Sequence, residues 1–209
     1  MMSIAIIDYG AGNLRSVQKA FQQVGVPAEI TKDKSAIHGA KGVVLPGVGS
    51  FDAAINELRS LNLEGVIEEA IALGKPFLGI CLGLQHLFES SEEGKQKGLA
   101  LLPGKVVKFN FTGTPWSNQS IPHMGWNRLR FKHRPPIFDG IEEGAMMYFA
   151  HSYYVVPKDE MTVATRTDYG VEFVSAVWKE NLFGLQFHPE KSGEKGLLIL
   201  RNFGKLCLK

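Results

Sequence analysis

A cysteine stands between two glycines in Lys75-Pro76-Phe77-Leu78-Gly79-Ile80-Cys81-Leu82-Gly83-Leu84-Gln85. An apolar run delivers it and a helix-like segment follows. That is the pattern of a nucleophile elbow, in which a buried strand ends, the chain turns sharply and a helix begins. The residue at the turn is held in a strained conformation with its side chain exposed at the carboxyl edge of the sheet. Gly79 and Gly83 leave room for the backbone to pass close by. A thiol at a helix N-terminus meets the positive end of the dipole, which favours the nucleophilic thiolate. A lone cysteine after an apolar run is more often a small core residue. What raises Cys81 above that reading lies far downstream, in Gly184-Leu185-Gln186-Phe187-His188-Pro189-Glu190-Lys191-Ser192. Residues two apart in an extended segment face one side, so Glu190 can orient the His188 ring. Pro189 biases His188 away from the helical region and stiffens that geometry. Thiol, imidazole and carboxylate together make a catalytic triad, with His188 taking the proton from Cys81 and Glu190 setting its tautomer.

The elements that must position these groups alternate in the first half of the chain. Ser3 to Asp8 reads as a strand, and Asn13 as the cap of a helix with apolar positions Leu14, Val17, Phe21 and Val24. Ala28 to Thr31 and Gly42 to Leu45 read as strands, Phe51 to Arg59 and Leu63 to Leu73 as helices. Phe77 to Ile80 is the strand that carries Cys81. The second half is richer in strands: Lys105 to Asn110, Asn127 to Phe131, Met147 to Val155, Thr162 to Arg166, Val171 to Trp178 and Leu182 to Phe187. A closing helix begins near Glu194. The alternation implies an α/β fold in which helices cover both faces of a central mixed sheet, in one domain over residues 1–209.

The 209 residues carry 23 Lys and Arg against 21 Asp and Glu, a formal charge of +2. That balance, without a basic stripe interleaved with aromatics, gives no argument for nucleic acid. No segment approaches the ~20 apolar residues that span a membrane, and the N-terminus lacks the basic and apolar regions of a secretory signal. Cys81 and Cys207 do not make a disulfide framework, so a reduced, cytoplasmic location is expected. Cys207 reads as packing in the last helix. With scattered histidines and no Cys-x-x-Cys, no metal is expected. Neither GxxxxGK[ST] nor GxGxxG occurs, and no cofactor is expected.

The elbow and the His-Pro-Glu element together resemble the class I glutamine amidotransferases. Asp8-Tyr9-Gly10-Ala11-Gly12-Asn13, Pro46-Gly47-Val48-Gly49-Ser50-Phe51, Pro122-His123-Met124-Gly125-Trp126-Asn127 and His151-Ser152-Tyr153-Tyr154 narrow the likeness. Within that family they resemble the glutaminase subunits of imidazole glycerol phosphate synthase, an enzyme of histidine biosynthesis. His86 is a departure, since that family more often has an apolar residue there; it reads as packing or surface, without a role.

The resemblance implies a three-layer, flavodoxin-like α/β fold with a central mixed, mainly parallel sheet. It implies attack of Cys81 on the glutamine side-chain amide, a glutamyl thioester, release of ammonia, and hydrolysis by water that His188 activates. The oxyanion would be held by the Leu82 N–H and by the Val48–Gly49 peptide, which Gly49 leaves free to flip. Gln85, Ser152 and Tyr153 are the expected glutamine contacts. The ammonia would pass to a partner, a cyclase subunit with a (β/α)₈ barrel in a heterodimer, which makes imidazole glycerol phosphate and an aminoimidazole carboxamide ribotide. Asn13, Met124, Trp126, Tyr148 and Lys191 are the expected interface residues. Other readings stay open: another class I amidotransferase, such as the pyridoxal phosphate synthase glutaminase; a γ-glutamyl peptidase; or a non-catalytic regulatory module.

Overall fold

Alternate side chains of the first strand enter two different cores. In β1 (Ile4–Ile7), Ile4 and Ile6 join one apolar cluster, and Ala5 and Ile7 join the other. A strand buried on both faces needs helices on both sides, because its side chains point alternately up and down. The computed structural model describes residues 4–208; Ser3, expected as the first strand residue, lies outside them.

The chain continues through α1 (Leu14–Gln23), β2 (Ala28–Thr31), α2 (Lys34–Gly39), β3 (Gly42–Gly47), α3 (Phe51–Ser60), α4 (Glu64–Ala72), β4 (Phe77–Cys81) and the single turn α5 (Leu82–Gln85). Then come β5 (Ser90–Ser91), β6 (Gly104–Lys108), β7 (His123–Arg128), β8 (Arg130–Phe131), β9 (Met146–His151), β10 (Tyr153–Pro157), β11 (Val163–Asp168), β12 (Glu172–Lys179), β13 (Leu182–Leu185) and α6 (Gly193–Cys207).

The main sheet runs β2-β1-β3-β4-β13-β12-β10-β6-β5, with β11 and β8 branching from β12. From β2 to β13 every pairing is parallel, and from β13 through β6 every pairing is antiparallel. The result is the expected mixed α/β sheet, and its parallel half carries the elbow. Val17, Phe21, Leu200 and Phe203 of α1 and α6 pack with Val44, Leu78 and Ile80 on one face. Ile37, Leu58 and Ile67 of α2, α3 and α4 pack with Val43, Leu45 and Phe77 on the other. Ligand sites in such sheets form beyond the carboxyl ends of the strands, where β4 ends in Cys81.

Several expectations need correction. Asn13 precedes α1 but its side chain makes no cap hydrogen bond, because φ −87° and ψ 56° take it out of the extended region a cap needs. The helix α2 is absent from the sequence reading; its six residues bury only Ile37, too little for a helical period, and Asp33 starts it by accepting from Ala36 N–H at 2.8 Å. Met147 to Val155 is not one strand. It breaks at Ser152, with β9 pairing β7 in a separate two-stranded sheet and β10 joining the main one. Asn127 to Phe131 resolves into the end of β7 and the short β8. Met124 and Trp126 point outward from β7 while His123 is buried, which inverts the usual amphipathic pattern and hid the strand's start.

Candidate active site

Cys81 has φ 55° and ψ −108°, a conformation that L-residues rarely adopt. Three glycines permit it by close approach of backbones. A Cβ on Gly83 would lie 1.9 Å from the Leu45 carbonyl oxygen, and one on Gly79 would lie 2.7 Å from that of Gly83. Gly47, which the sequence did not single out for this, is equally confined: its Cβ would meet Leu82 Cβ at 2.7 Å and the Tyr9 hydroxyl at 2.8 Å. The following helix is one turn long. A dipole summed over so few peptides is small, so the electrostatic help expected from it falls to the neighbouring imidazole.

That imidazole is His188. Its Nδ1 lies 2.8 Å from Glu190 Oε1, and the side chains are 4% and 1% exposed. Burial by itself lowers the histidine pKa. The neighbouring Cys81 and the hydrogen-bonded Glu190, both favouring the charged ring, overcome that and raise it to about 10. The environment therefore favours imidazolium beside the cysteine. Ser192, in the motif but given no role, holds the ring's backbone: its hydroxyl donates to the His188 carbonyl at 2.6 Å and accepts from Tyr148 N–H at 3.0 Å. His188 N–H donates to the Tyr148 carbonyl at 2.9 Å, so β9 fixes the His-Pro-Glu turn from both sides.

In front of Cys81 opens a cavity of about 270 Å³. Val48, Gly49 and Leu82 line it, as do Gln85, Ser152 and Tyr153, which the sequence reading placed there as oxyanion and glutamine groups. Glu93, Pro122, Ala150 and His151 also line it and were missed. Gln85 Nε2 donates to the Tyr153 carbonyl at 3.0 Å and to Gln186 Oε1 at 3.3 Å, tying the elbow turn to the opposite wall. Gly49 sits at φ +102° with open space around its Cβ position.

Behind that wall runs a chain of neutral histidines. The His151 ring donates from Nδ1 to the Tyr153 carbonyl at 2.8 Å. Its Nε2 therefore accepts from His123 Nδ1 at 3.1 Å, and His123 Nε2 accepts from Asn127 Nδ2 at 3.3 Å. Burial holds His123 down to about 4 and His151 to about 3.

Residues 5–206 match the family model of class I glutamine amidotransferases. The chain is 51% identical over 207 residues to the imidazole glycerol phosphate synthase subunit HisH of Moorella thermoacetica, covering 99% of this chain and 96% of that protein. It is 50% identical to the HisH subunit of Aquifex aeolicus, covering 100% and 99%. The chain belongs to the class I glutamine amidotransferases, among the HisH subunits of imidazole glycerol phosphate synthase. The fold agrees. A glutamine amidotransferase crystal structure superposes with TM-score 0.75 at 18% identity, covering 98% of this chain and 99% of that one. The PurLQS structure from Thermotoga maritima superposes with TM-score 0.73 at 22% identity, covering 97% and 98%.

Four of the residues expected at a HisH interface form a patch beside the cavity. Trp126 faces Tyr148 across the β7–β9 pair, their rings edge-on with centroids 6.1 Å apart. Lys191 Nζ lies 5.9 Å from the Tyr148 ring centroid, and Met124 reaches the cavity rim. Trp126 is 52% exposed and Met124 64%. Asn13 lies apart from them on the loop after β1, next to Gly12, whose Cβ position is 3.4 Å from the Pro46 carbonyl oxygen. Cys207 is buried in α6, its thiol pushed up to about 12 by burial, in keeping with a packing role. Among the described residues no group of three His, Cys, Asp or Glu side chains is placed to hold a metal ion. No helix there is long and apolar enough to cross a membrane.

Proposed function

We propose that this amidotransferase hydrolyses glutamine at Cys81 and delivers the ammonia to a cyclase subunit with a (β/α)₈ barrel, in a cytoplasmic heterodimer. The observation that carries the reading is the positive-φ cysteine beside the His188–Glu190 pair, at the floor of a cavity of about 270 Å³. Residues 1–209 are taken as one amidotransferase domain, supported by the family match over 5–206.

The Cys81 thiolate attacks Cδ of the glutamine side chain, and the electron pair of the C=O moves to oxygen. Backbone N–H groups of Leu82 and of Gly49 serve as donors to that oxyanion. The tetrahedral species collapses, expelling the amide nitrogen as ammonia with a proton from the His188 imidazolium, and leaves a γ-glutamyl thioester. Neutral His188 then removes a proton from water as it attacks the thioester carbonyl. Glutamate leaves, and the thiolate–imidazolium pair is restored. Glu190 keeps Nδ1 protonated so that Nε2 faces the chemistry. Gln85, Ser152 and Tyr153 position the amino-acid end of the substrate. The Glu93 carboxylate on the same wall suits its α-ammonium group, since a buried charge needs a counter-charge.

Free ammonia would be lost to water, so the exit must be covered by the subunit that consumes it. The exposed Met124–Trp126 face at the cavity rim, with Tyr148 and Lys191 beside it and Asn13 on the same carboxyl edge of the sheet, is the docking surface. The test is glutamate release from glutamine by the chain alone and with a barrel cyclase subunit and its nucleotide ligand, against Cys81→Ala. Activity that needs the partner and disappears in the variant is expected. Activity independent of any partner identifies a free-standing hydrolase instead.

A further inference from the structure

The oxyanion loop is a short free segment between two fixed ends. At its start, the Tyr9 hydroxyl donates to the Pro46 carbonyl at 2.8 Å, and Gly47 is wedged against Leu82. Val48, Gly49 and Ser50 follow, exposed. At its end stands Phe51, the first residue of α3, completely buried. Its N–H donates to Glu93 Oε2 at 2.9 Å, and its carbonyl is approached at 3.2 Å by Nε2 of His86.

His86 is an unusual occupant of that place. The ring is fully buried and packs edge-on to Phe51, with centroids 4.8 Å apart. A carbonyl oxygen can only accept, so Nε2 carries the proton and Nδ1 is a bare acceptor. Among the described residues no side chain or backbone group reaches that Nδ1. An apolar side chain of similar size would keep the contact with Phe51 and leave nothing unsatisfied. What it could not do is bond the Phe51 carbonyl. His86 follows directly on the elbow turn that begins at Leu82, the source of the other oxyanion donor. Its hydrogen bond therefore ties one donor's turn to the root of the loop bearing the second.

We infer that His86 is a positioning residue that fixes the Val48–Gly49 oxyanion donor relative to Cys81 through its hydrogen bond to Phe51. The inference rests on the amidotransferase reading of the site. His86 touches no substrate; it limits how far the loop between Gly47 and Phe51 can wander. Loss of the bond then lowers kcat, because the donor is no longer pre-aimed, and leaves the glutamine wall of Gln85, Ser152 and Tyr153 as it was.

The test compares His86→Leu and His86→Gln in the full chain bound to its cyclase subunit. The glutamine amide nitrogen lies where histidine Nε2 does, so it can restore the donor, whereas leucine keeps only the packing. For His86→Leu, kcat falls at least about tenfold with the KM for glutamine within about twofold, by analogy with a misplaced reacting group. His86→Gln recovers most of the loss. Hydrogen exchange, which needs no activity, gives a second reading: the amides of Phe51 and Ala54, bonded in wild type to Glu93 and to the Ser50 carbonyl, exchange faster in His86→Leu, and those of β4 do not. If the wild-type complex itself shows no glutaminase activity, the functional reading fails, and the exchange comparison still decides whether His86 holds the loop. An unaltered kcat and unaltered exchange in His86→Leu overturn the inference, as does a His86→Gln variant no better than leucine. His86→Met repeats the comparison if leucine does not fold, and failure of both to fold makes the role structural and also overturns it.

Discussion

Nδ1 of His188 and Oε1 of Glu190 meet at 2.8 Å across a single intervening proline, with Glu190 Oε2 buried beside them and unpartnered among the described residues. A second carboxylate oxygen left without a hydrogen bond retains its negative charge for the imidazolium instead of sharing it with other donors. The pair is electrostatic as well as geometric, and Glu190→Gln separates the two. The amide fills the same space but removes the charge, and its NH₂ group must lie either toward Nδ1, where it disfavours the Nδ1–H tautomer, or in the place of the unpartnered oxygen. The expected result is a kcat lower by about 10²–10⁴, as when a triad loses its orienting carboxylate, with KM little changed. With one of its raising influences gone, the His188 pKa moves down from about 10. A pH–rate profile of variant and wild type checks both effects, and an unshifted profile contradicts the electrostatic role.

Two glycines near Cys81 separate folding from catalysis. Alanine at Gly83 puts a methyl 1.9 Å from the Leu45 carbonyl oxygen, a backbone atom in the central sheet that cannot step aside. The expected cost exceeds the ~1–3 kcal/mol common for overpacking, read as a large drop in melting temperature or an insoluble chain. Alanine at Gly49 meets no atom of the described residues within 4 Å, but φ there is +102°. The strain costs stability about 1 kcal/mol, and the displaced peptide lowers kcat by up to about 10²-fold. A Gly49→Ala enzyme with wild-type kcat would remove that peptide from the oxyanion site.

How far the sequence showed this site depended on whether the chemistry was local. Cys81 with its flanking glycines, and His188 with Glu190, are short-range patterns; the second pair meets by a different geometry from the extended one expected, because Pro189–Lys191 forms a single 3₁₀ turn that brings Glu190 back to the ring. The parallel half of the sheet was legible because its strands are apolar on both faces, as in β1 and β4. Glu93, Gly47 and Ser192 gave no comparable signal. Glu93 reaches the cavity because Asp52 of α3 accepts from the N–H groups of Lys95 and Gln96 and so docks the loop around it. The break at Ser152 was hidden too, since β9 and β10 read as one apolar run while pairing in different sheets. His86 looked like filler because the bond its side chain makes crosses to a residue 35 positions away.

The same buried histidines make the protein sensitive to acid. His86 and His123 are held near 4 and His151 near 3, each chiefly by burial, whereas in the unfolded chain a histidine titrates near 6.5. Below that value the unfolded state binds more protons than the native one, so stability falls as the pH drops from about 6.5 toward 4. The loss is up to about 1.4 kcal/mol per pH unit for each histidine, with His123 and His151 titrating as a coupled pair. His188 contributes with the opposite sign: its raised pKa stabilises the native state below 6.5, and that contribution is lost as the pH rises through about 10. Urea unfolding at a series of pH values between about 7 and 5 checks the acid limb. His86→Leu removes one of the three and makes the slope shallower; an equal slope would rule out its part.

Trp126 is the residue on which docking should depend most. It stands half-exposed on β7 with its edge toward Tyr148, and Lys191 lies over the other ring. An aromatic that is only partly covered contributes modestly to the fold, so Trp126→Ala is expected to change folding stability by about 0.5–1.5 kcal/mol, mainly through the lost ring contact. When a partner closes over the patch, the same indole is fully desolvated near the centre of the interface. There, truncation of such an anchor costs about 2 kcal/mol or more, a rise of at least about thirtyfold in Kd. Lys191→Ala should instead act mainly on association rate and salt dependence, as a charge at the rim of an interface does. Titration of each variant with the cyclase subunit, at two salt concentrations, checks both. A Trp126→Ala chain that binds the partner as tightly as wild type places the docking surface elsewhere and leaves this aromatic face without a role in ammonia transfer.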